Sequence, residues 1–303
     1  MEATALLGVH VSIAGGLPYA VDRARALGCT VFQLFTANAR QWSLGPVTAE
    51  TATAFQQARQ AAKIAKVISH AVYLLNLASP RKELRRKSLV ALEAECHRCQ
   101  QLGIELVTFH PGSCPAEERR EGLRHVAQAL RSIAQNTNSS LLLCVELTAG
   151  QGSSIGSSLE ELAAIIEQSS IPERLGICVD TCHALAAGYR LDTEDGYDSF
   201  WARLVELCGQ ECLRVLHLND SAYPPGRRRD RHTHIGFGYC GLGCFTRLLH
   251  DPRWHNVPMI LETPKGKDDT ADQLNLAVLR RLAAGASLSP EELRQLWRRH
   301  GPL

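Results

Sequence analysis

The sequence predicts an α/β fold, a (β/α)8 TIM barrel formed by a single domain over residues 1–303. Eight short apolar runs are rich in β-branched residues, and segments with helical periodicity follow most of them. No Pro-, Gly- or Ser-rich linker divides the chain. Side chains suited to metal binding follow six of the eight runs, and only a closed barrel brings six successive strand ends around one centre. A doubly wound open sheet, the competing fold, would keep its first and last strands too far apart.

The predicted elements alternate along the chain to its end. Strands are expected at 6–11, 31–35, 66–69, 106–109, 141–145, 176–179, 213–218 and 259–261, and helices at, among others, 17–27, 49–63, 81–102, 116–135 and 159–168. Ser158 precedes the last of these helices, with a glutamate three residues later in a capping-box pattern. Long loops after several strands, notably 221–243, should build the carboxyl rim. An extra helix is predicted over 289–303, with Ser289 as N-cap and Pro290 at the first helical position.

Composition indicates an ordinary globular chain, with 45% hydrophobic and 21% charged residues. The formal net charge is only +2, so the field of the whole molecule is weak and a polyanion would have to meet a local patch. A candidate patch is the arginine run formed by Arg227, Arg228, Arg229 and Arg231.

Two features predict a cytoplasmic protein that does not bind membranes. Residues 1–9 lack the basic start and apolar core of a signal peptide, and no stretch approaches the roughly 18 apolar residues that span a bilayer. The eleven cysteines are an odd number and lie on predicted strands and helices, which is typical of reduced thiols. A zinc knuckle of Cys96, Cys99, Cys208 and Cys212 is the alternative, although their spacing fits two helical faces better.

Nine potential metal ligands stand at or just past the ends of the apolar runs: His70, His110, Glu146, Asp180, His183, His217, Asp230, His232 and Glu262. A single histidine or aspartate at a strand end is usually a hydrogen-bonded structural residue. Nine such residues at equivalent places are not explained in this way. Uncompensated carboxylates and imidazoles in one pocket would repel each other and lose hydration, whereas divalent cations neutralise them. The pattern predicts a multinuclear metal site.

Sequence motifs surround these positions nearly end to end: GVHVS at 8–12, LFT at 34–36, RQW at 40–42, FHPGS at 109–113, ELTAGQG at 146–152, DTCH at 180–183, HLND at 217–220, DRH at 230–232 and LETP at 261–264. In this order and spacing the chain resembles the endonuclease IV family of apurinic/apyrimidinic (AP) endonucleases, which are zinc enzymes of DNA base-excision repair. The resemblance implies a hydrolase that cleaves the phosphodiester 5′ to an abasic site, leaving a 3′ hydroxyl and a 5′ deoxyribose phosphate. It also implies removal of 3′-blocking groups.

The resemblance further implies three zinc ions per chain and assigns their ligands. His70, His110 and Glu146 would hold the first ion; Glu146, Asp180, His217 and Glu262 the second; His183, Asp230 and His232 the third. Glu146, Glu262 and Asp230 would thereby also act in catalysis. Imidazole and carboxylate are ordinary zinc ligands, and such a cluster suits phosphodiester hydrolysis because it can activate water and neutralise charge on the departing oxygen. His10 is interpreted as a hydrogen-bonded core residue, since the ligand set is complete without it.

The expected partner is double-stranded DNA that contains abasic sites or 3′-blocked ends, bound by a monomer. By resemblance, four residues match family positions that enter the DNA minor groove and fill the gap left by an extruded sugar: Arg40, Gln41, Tyr73 and Leu74. A missing base lowers the cost of unstacking, so such wedges would open the helix at the lesion. Arg229 and Arg231 flank ligand Asp230 and are predicted to contact phosphates.

The chain departs from the family pattern at five non-ligand positions, the first of which is Ala71 where glycine is usual. Val72 stands where serine is usual, Leu147 where asparagine is usual, Cys114 where histidine is common and Phe237 where an acidic residue is usual. Loss of hydrogen bonding at 72 and 147 would slow the enzyme or shift its substrate range. Two alternative functions stay open: a metal-dependent sugar isomerase or epimerase on a related barrel, and a damaged-DNA binding protein with weak catalysis.

Overall fold

The computed structural model describes residues 5–42 and 45–300. Eight of its strands run parallel in one sheet: β1 (Leu7–Val9), β2 (Val31–Leu34), β3 (Lys66–His70), β4 (Leu106–Phe109), β5 (Leu142–Glu146), β6 (Leu175–Asp180), β7 (Leu213–His217) and β10 (Met259–Leu261). Two further strands, β8 (Asp220–Ser221) and β9 (His232–Thr233), form a short antiparallel pair in the long loop after β7.

The sheet closes on itself between β1 and β2. Its strand order is β1, β10, β7, β6, β5, β4, β3, β2, and a backbone bond of 2.8 Å from Val11 N to Gln33 O joins the two end strands. Gly8 allows this close approach, because a Cβ there would lie 1.8 Å from the carbonyl oxygen of Val31. The closed parallel barrel predicted from the sequence is therefore confirmed.

Helices alternate with the barrel strands: α1 (Leu17–Ala26), α2 (Ala49–Ala61), α3 (Lys82–Leu102), α4 (Arg119–Asn136), α5 (Leu159–Ser169), α6 (Thr181–Ala187), α7 (Glu194–Cys208), α8 (Gly241–His250), α9 (Thr270–Ala283) and α10 (Pro290–His300). α4 begins later than predicted because a 3-10 turn at Ala116–Glu118 precedes it. Two helices, α6 and α7, follow β6, and two, α9 and α10, follow β10, whereas in the described ranges each of the other barrel strands is followed by one. The short α6 begins directly at the carboxyl end of β6, with Asp180 as its N-cap.

Side-chain caps fix the two helix starts that the sequence marks. At α5, Ser158 Oγ accepts a hydrogen bond from Glu161 N over 3.3 Å. At α10, Ser289 Oγ accepts from Glu292 N over 3.2 Å, and the Glu292 carboxylate accepts from Ser289 N over 2.8 Å. This reciprocal pair is a complete capping box, so α10 begins at Pro290 as predicted.

Apolar side chains form two layers around the strands. One cluster takes a residue from each of seven strands: Val31, Ile68, Leu106, Cys144, Cys178, Val215 and Ile260. Residues adjacent to these in the strands, such as Phe32, Val67 and Val107, point to the opposite face and belong to the larger core shared with the helices. Both faces of the sheet are thus filled mainly by apolar groups, and the ionisable side chains lie at the carboxyl ends of the strands.

None of the helices in the described ranges is both long and apolar enough to cross a membrane.

The cysteines, all eleven of which lie in the described ranges, are free thiols. Cys96 and Cys99 are buried on α3, and burial raises the pKa of both thiols well above the usual range. Within the described residues, none of the four cysteines of the alternative zinc knuckle belongs to a potential metal-binding group.

Candidate metal centre

The nine predicted ligands all lie at the carboxyl mouth of the barrel. Six of them end a barrel strand or directly follow one: His70, His110, Glu146, Asp180, His217 and Glu262. The other three lie in segments that follow β6 and β7: His183 in the first turn of α6, Asp230 just before β9 and His232 at its start. Barrel topology thus gathers side chains that are up to 192 positions apart in sequence, from His70 to Glu262 (262 − 70).

Their ligand atoms fall into three groups, and within each group all the atoms lie within 4.8 Å of one another: His70, His110 and Glu146; Glu146, Asp180, His217 and Glu262; and His183, Asp230 and His232. We call these the first, second and third ligand groups. The grouping is the one that the family resemblance implies, and Glu146 belongs to two groups. Two thiols outside the predicted set, Cys178 and Cys182, also lie within this distance of neighbouring ligand atoms.

Glu146 is the centre of the arrangement. It is fully buried at the end of β5. Its Oε2 lies 3.1 Å from His70 Nε2, and its Oε1 lies 3.3 Å from His110 Nε2 and 3.4 Å from His217 Nδ1. The same Oε1 is 3.2 Å from His183 Nδ1, so one carboxylate contacts members of all three ligand groups.

Four of the five imidazoles are oriented by a hydrogen bond to a backbone or amide oxygen. The pairs are His70 Nδ1 with Ala71 O at 2.7 Å, His183 Nδ1 with Leu147 O at 3.0 Å, His232 Nδ1 with Glu262 O at 3.1 Å, and His217 Nε2 with Gln33 Oε1 at 2.9 Å. Because such an oxygen only accepts, the nitrogen beside it must carry the proton. The other nitrogen of each ring lies beside a carboxylate of the ligand groups and is the atom that would bind a metal.

Four buried ligand atoms have no hydrogen-bond partner within the described part of the chain: Glu146 Oε1, His183 Nε2, His217 Nδ1 and His232 Nε2. A buried polar atom without a partner is costly, because it has lost its hydration and gained nothing in return. Divalent cations would satisfy all four, since imidazole nitrogen and carboxylate oxygen are normal ligands of such ions. The donor set therefore fits bound metal.

Three carboxylates of the centre, Glu146, Asp230 and Glu262, have a lowered pKa, and three imidazoles, His70, His183 and His217, have a raised pKa. Burial would raise the pKa of Glu146, but His110 and His217 hold it well below the usual range. Partial desolvation would raise the pKa of Asp230, but the His183 ring, whose Nε2 lies 3.1 Å from Asp230 Oδ1, and the nearby imidazoles lower it to about 2. Burial would lower the pKa of His217, but the surrounding carboxylates raise it to about 9. Metal binding would therefore displace protons from the imidazoles.

Two uncharged side chains outside the predicted set support the second ligand group. Gln33, buried in β2, accepts from His217 Nε2 and donates to Glu262 Oε1 over 2.5 Å. Asn219 donates to Asp180 Oδ2 over 2.6 Å and accepts from Glu262 N over 2.8 Å. Together they fix three of the four ligands in this group. The available signal for Gln33 was a polar residue inside an apolar run.

Replacing Gln33 by Leu should weaken the centre without removing a ligand. The change deletes the bonds to His217 and Glu262 and keeps a side chain of similar size in β2. Loss of such a supporting partner typically costs roughly 10- to 100-fold in metal affinity or activity. Zinc titration of the purified variant measures the loss, with circular dichroism to establish that the fold is intact. Wild-type zinc affinity in the folded variant would contradict the role given to Gln33.

Asp220 organises the loop that carries Asp230 and His232. Its buried carboxylate accepts hydrogen bonds of 2.9–3.0 Å from four backbone amides: Ser221, Gly236, Gly238 and Cys240. The loop is packed so closely here that a Cβ at Gly238 would lie 2.4 Å from the Ser221 carbonyl oxygen. One carboxylate thus folds the end of this loop back onto its beginning.

The departures at 72 and 147 leave the imidazole orientation intact. The bonds that orient His70 and His183 go to the backbone carbonyls of Ala71 and Leu147, so they do not depend on the side chains at 72 and 147. Val72 and Leu147 are themselves buried in the main apolar core, as is Cys114.

The predicted DNA-binding residues are exposed around the mouth of the barrel. Arg40 and Gln41 lie in the loop after β2, and Tyr73 and Leu74 lie in the loop after β3. The Tyr73 side chain is 65% exposed, although its ring centroid lies only 5.2 Å from that of Phe35. The exposed arginine run lies in the loop after β7.

Two adjoining clefts open at this mouth. One, of about 420 Å³, is lined by Tyr73, His110, His183 and Asp230 among others. The second, of about 360 Å³, is lined by Gln151, Tyr223, Asp230 and the arginines at 227, 228, 229 and 231. Gln151 and Asp230 line both clefts, and Gln151 Oε1 accepts from Asp230 N over 3.0 Å. An anion in the second cleft would therefore lie beside the third ligand group.

Comparison with known proteins adds an independent line of evidence. Residues 21–282 match the model of a family described as a xylose isomerase-like TIM barrel. A probable endonuclease 4 of Trichlorobacter lovleyi is 46% identical over 277 residues, covering 91% of this chain and 99% of that protein. A probable endonuclease 4 of Chloroflexus aurantiacus is 44% identical over 280 residues, covering 92% and 98%. The crystal structure of endonuclease IV from Thermus thermophilus matches with a TM-score of 0.81 at 38% identity, covering 92% of this chain and 99% of that one.

Proposed function

Because this chain belongs to the endonuclease IV family of AP endonucleases, we propose that it hydrolyses the phosphodiester 5′ to an abasic site in double-stranded DNA. A water oxygen forms a bond to phosphorus and gives up a proton, while the bond from phosphorus to the 3′ oxygen of the preceding nucleotide breaks. That oxygen takes up a proton to become the 3′ hydroxyl, and the 5′ deoxyribose phosphate stays on the other fragment. The same chemistry would remove blocking groups from 3′ ends during base-excision repair.

The observation that carries the proposal is the set of three ligand groups with four unpartnered donor atoms. We assign one zinc ion to each group, with Glu146 shared between the first and the second. Zinc bound there would activate the attacking water and neutralise charge on the phosphate and the departing oxygen. The oriented imidazoles support this assignment, since in each ring one nitrogen is held by an oxygen outside the group and the other faces the group.

Three carboxylates are proposed to act on the reacting groups: Glu146, Glu262 and Asp230. The pKa of Glu146 and that of Glu262 lie well below the usual range despite burial, through neighbouring imidazoles, so both stay ionised at neutral pH. An ionised carboxylate can accept a hydrogen bond from the attacking water and so orient it. Asp230 lies between the two clefts and would place the substrate phosphate between the third ligand group and the arginine run.

The exposed residues around the mouth are proposed to hold the DNA. Tyr73 and Leu74, with Arg40 and Gln41, would enter the minor groove at the lesion, where the missing base makes unstacking less costly. Arg229, whose guanidinium lies 5.1 Å from the Tyr223 ring centroid, is proposed with Arg231 to contact phosphates. Exposure and position beside the ligand groups support these assignments.

Replacing Tyr73 by Ala should weaken incision of an abasic duplex more than it lowers metal content. Stacking of a base or sugar on an aromatic ring is worth about 1–3 kcal/mol, so we expect a loss of roughly 5- to 150-fold in kcat/KM. Incision kinetics and zinc content are measured on the same preparation. Tyr73→Phe keeps the ring and should retain most activity; equal loss of zinc and incision in the Ala variant would mark Tyr73 as structural.

An incision assay on three duplexes tests the proposed function. Purified protein loaded with zinc is incubated with a duplex containing one abasic site, a duplex with a 3′-phosphate at a nick and an intact duplex. We expect cleavage of the first, removal of phosphate from the second and no reaction with the third. Binding of the abasic duplex without turnover would favour the damaged-DNA binding protein. Conversion of ketoses, with no action on DNA, would favour the sugar epimerase.

We also propose that the protein acts in the cytoplasm as a monomer and that its 303 residues form one domain. Eleven free thiols support the compartment, because disulfides are rare where the cytosolic pools keep thiols reduced. Sedimentation of the zinc-loaded protein tests the oligomeric state.

A further inference from the structure

The C-terminal helix α10 packs against the segment that follows ligand His232. Trp297 of α10 is fully buried, and its ring centroid lies 4.1 Å from that of His234 and 5.6 Å from that of Phe237. Leu293, one turn earlier, lies against Gly236, where an added Cβ would come within 2.6 Å of the leucine Cδ2 atom. Helix and loop therefore interlock directly after the third ligand group.

Polar groups of the barrel hold the same segment from the other side. Asp220 accepts from the Gly236 amide, and Asn275 of α9 accepts from Ile235 N over 2.9 Å. Asn275 Nδ2 also lies 3.1 Å from His234 Nδ1. The segment is thus bonded to the barrel on one face and covered by apolar side chains of α10 on the other.

The contact made by α10 is one of packing. Trp297 Nε1 has no hydrogen-bond partner among residues 5–42 and 45–300, so the indole acts through its apolar surface. Phe237, where the family usually has an acidic residue, meets that indole edge to face at 79°. The phenylalanine at position 237 therefore stabilises the contact with α10, because it supplies the apolar surface against which the indole packs.

We propose that α10 is a clasp that holds the third ligand group in its metal-binding geometry, with Trp297 and Leu293 as positioning residues. The proposal rests on the proposed function only in taking His183, Asp230 and His232 as metal ligands. β8 and β9 are two residues each, too short to hold the loop unaided. Because ligands must be held to within about 0.5 Å, support from outside the loop decides whether the third group binds tightly.

A matched pair of leucine substitutions separates a clasp from a general loss of packing. Leu293 on α10 and Leu249 near the end of α8 are 3% and 4% exposed. The last turn of α8 leads into β10 and so lies at the amino end of the barrel, away from the ligands. Both Leu→Ala changes should lower the melting temperature of the metal-free protein, whereas Leu293→Ala alone should weaken zinc binding.

Zinc binding is measured by dialysis against buffered free zinc, for wild type, Leu293→Ala, Leu249→Ala, Trp297→Ala and Trp297→Phe. In Leu293→Ala and Trp297→Ala we expect one of three ions to bind about 10- to 100-fold more weakly. Excess zinc should then restore incision by these variants. Trp297→Phe keeps an apolar ring and folds more readily, so its affinity for the same ion should fall by a smaller factor. If Trp297→Ala binds three ions with wild-type affinity, α10 is not a clasp, although the proposed function stands. If Trp297→Ala does not fold, the same result with Leu293→Ala leads to the same conclusion. A wild-type protein that binds fewer than three ions would overturn both the clasp and the proposed three-zinc function.

Discussion

Replacing Glu262 by Gln is expected to lower the rate of abasic-site incision on the order of 10²–10³-fold while the fold stays intact. Glu262 Oε2 lies 3.2 Å from His217 Nδ1 in the second ligand group, and Oε1 accepts from Gln33. The amide keeps the volume of the side chain but removes the charge that balances a cation. Single-turnover incision measures the rate, and metal analysis should show a loss of at most one zinc.

A buried carboxylate at the opposite end of the barrel provides the control for Glu262→Gln. Asp251 caps the end of α8, where Arg253 and Tyr197 bind its carboxylate. Asp251→Asn also neutralises a buried acid and should lower stability, but incision per folded molecule should match wild type. If Glu262→Gln incised DNA at a rate within a few-fold of this control variant, Glu262 would have no part in the mechanism.

Replacing Glu146 by Gln should have a larger effect, because this carboxylate belongs to two ligand groups. We expect loss of zinc from both groups and a decrease in incision of more than about 10³-fold, beyond the effect of removing a single electrostatic contact. The neutral amide cannot balance the imidazoles of His70, His110 and His217, which surround it at 3.1–3.4 Å. Metal analysis and incision are measured after the same zinc loading.

The two glutamate variants make a joint prediction that tests the shared position of Glu146. Zinc content should fall by two ions in Glu146→Gln and by at most one in Glu262→Gln, while the third ligand group keeps its ion in both. Equal zinc content in the two variants would show that Glu146 does not bridge the first and second groups.

Six of the nine predicted ligand positions follow from the barrel itself, whereas His183, Asp230 and His232 lie in the segments beyond β6 and β7. Once eight apolar runs are recognised as parallel strands, a side chain at the carboxyl end of a run has only one place to go, the mouth of the barrel. The starts of α5 and α10 were readable for a local reason, since a capping serine and the glutamate three residues later lie within one turn.

The supports of the ligands could not be predicted, because their partners are distant in sequence. Gln33 meets His217 and Glu262 across 184 and 229 positions, and a buried glutamine in a strand gives no sign of which side chains it will bind. The contact of Phe237 with Trp297 depends on how α10 folds back over the barrel, which periodicity does not specify.

The most direct test is a crystal structure of the zinc-loaded protein, with anomalous scattering recorded on both sides of the zinc absorption edge. The account predicts three zinc peaks per chain, one in each ligand group, with Glu146 bound to two of them. A single peak, or zinc bound outside the mouth while the ligand groups stay empty, would contradict it.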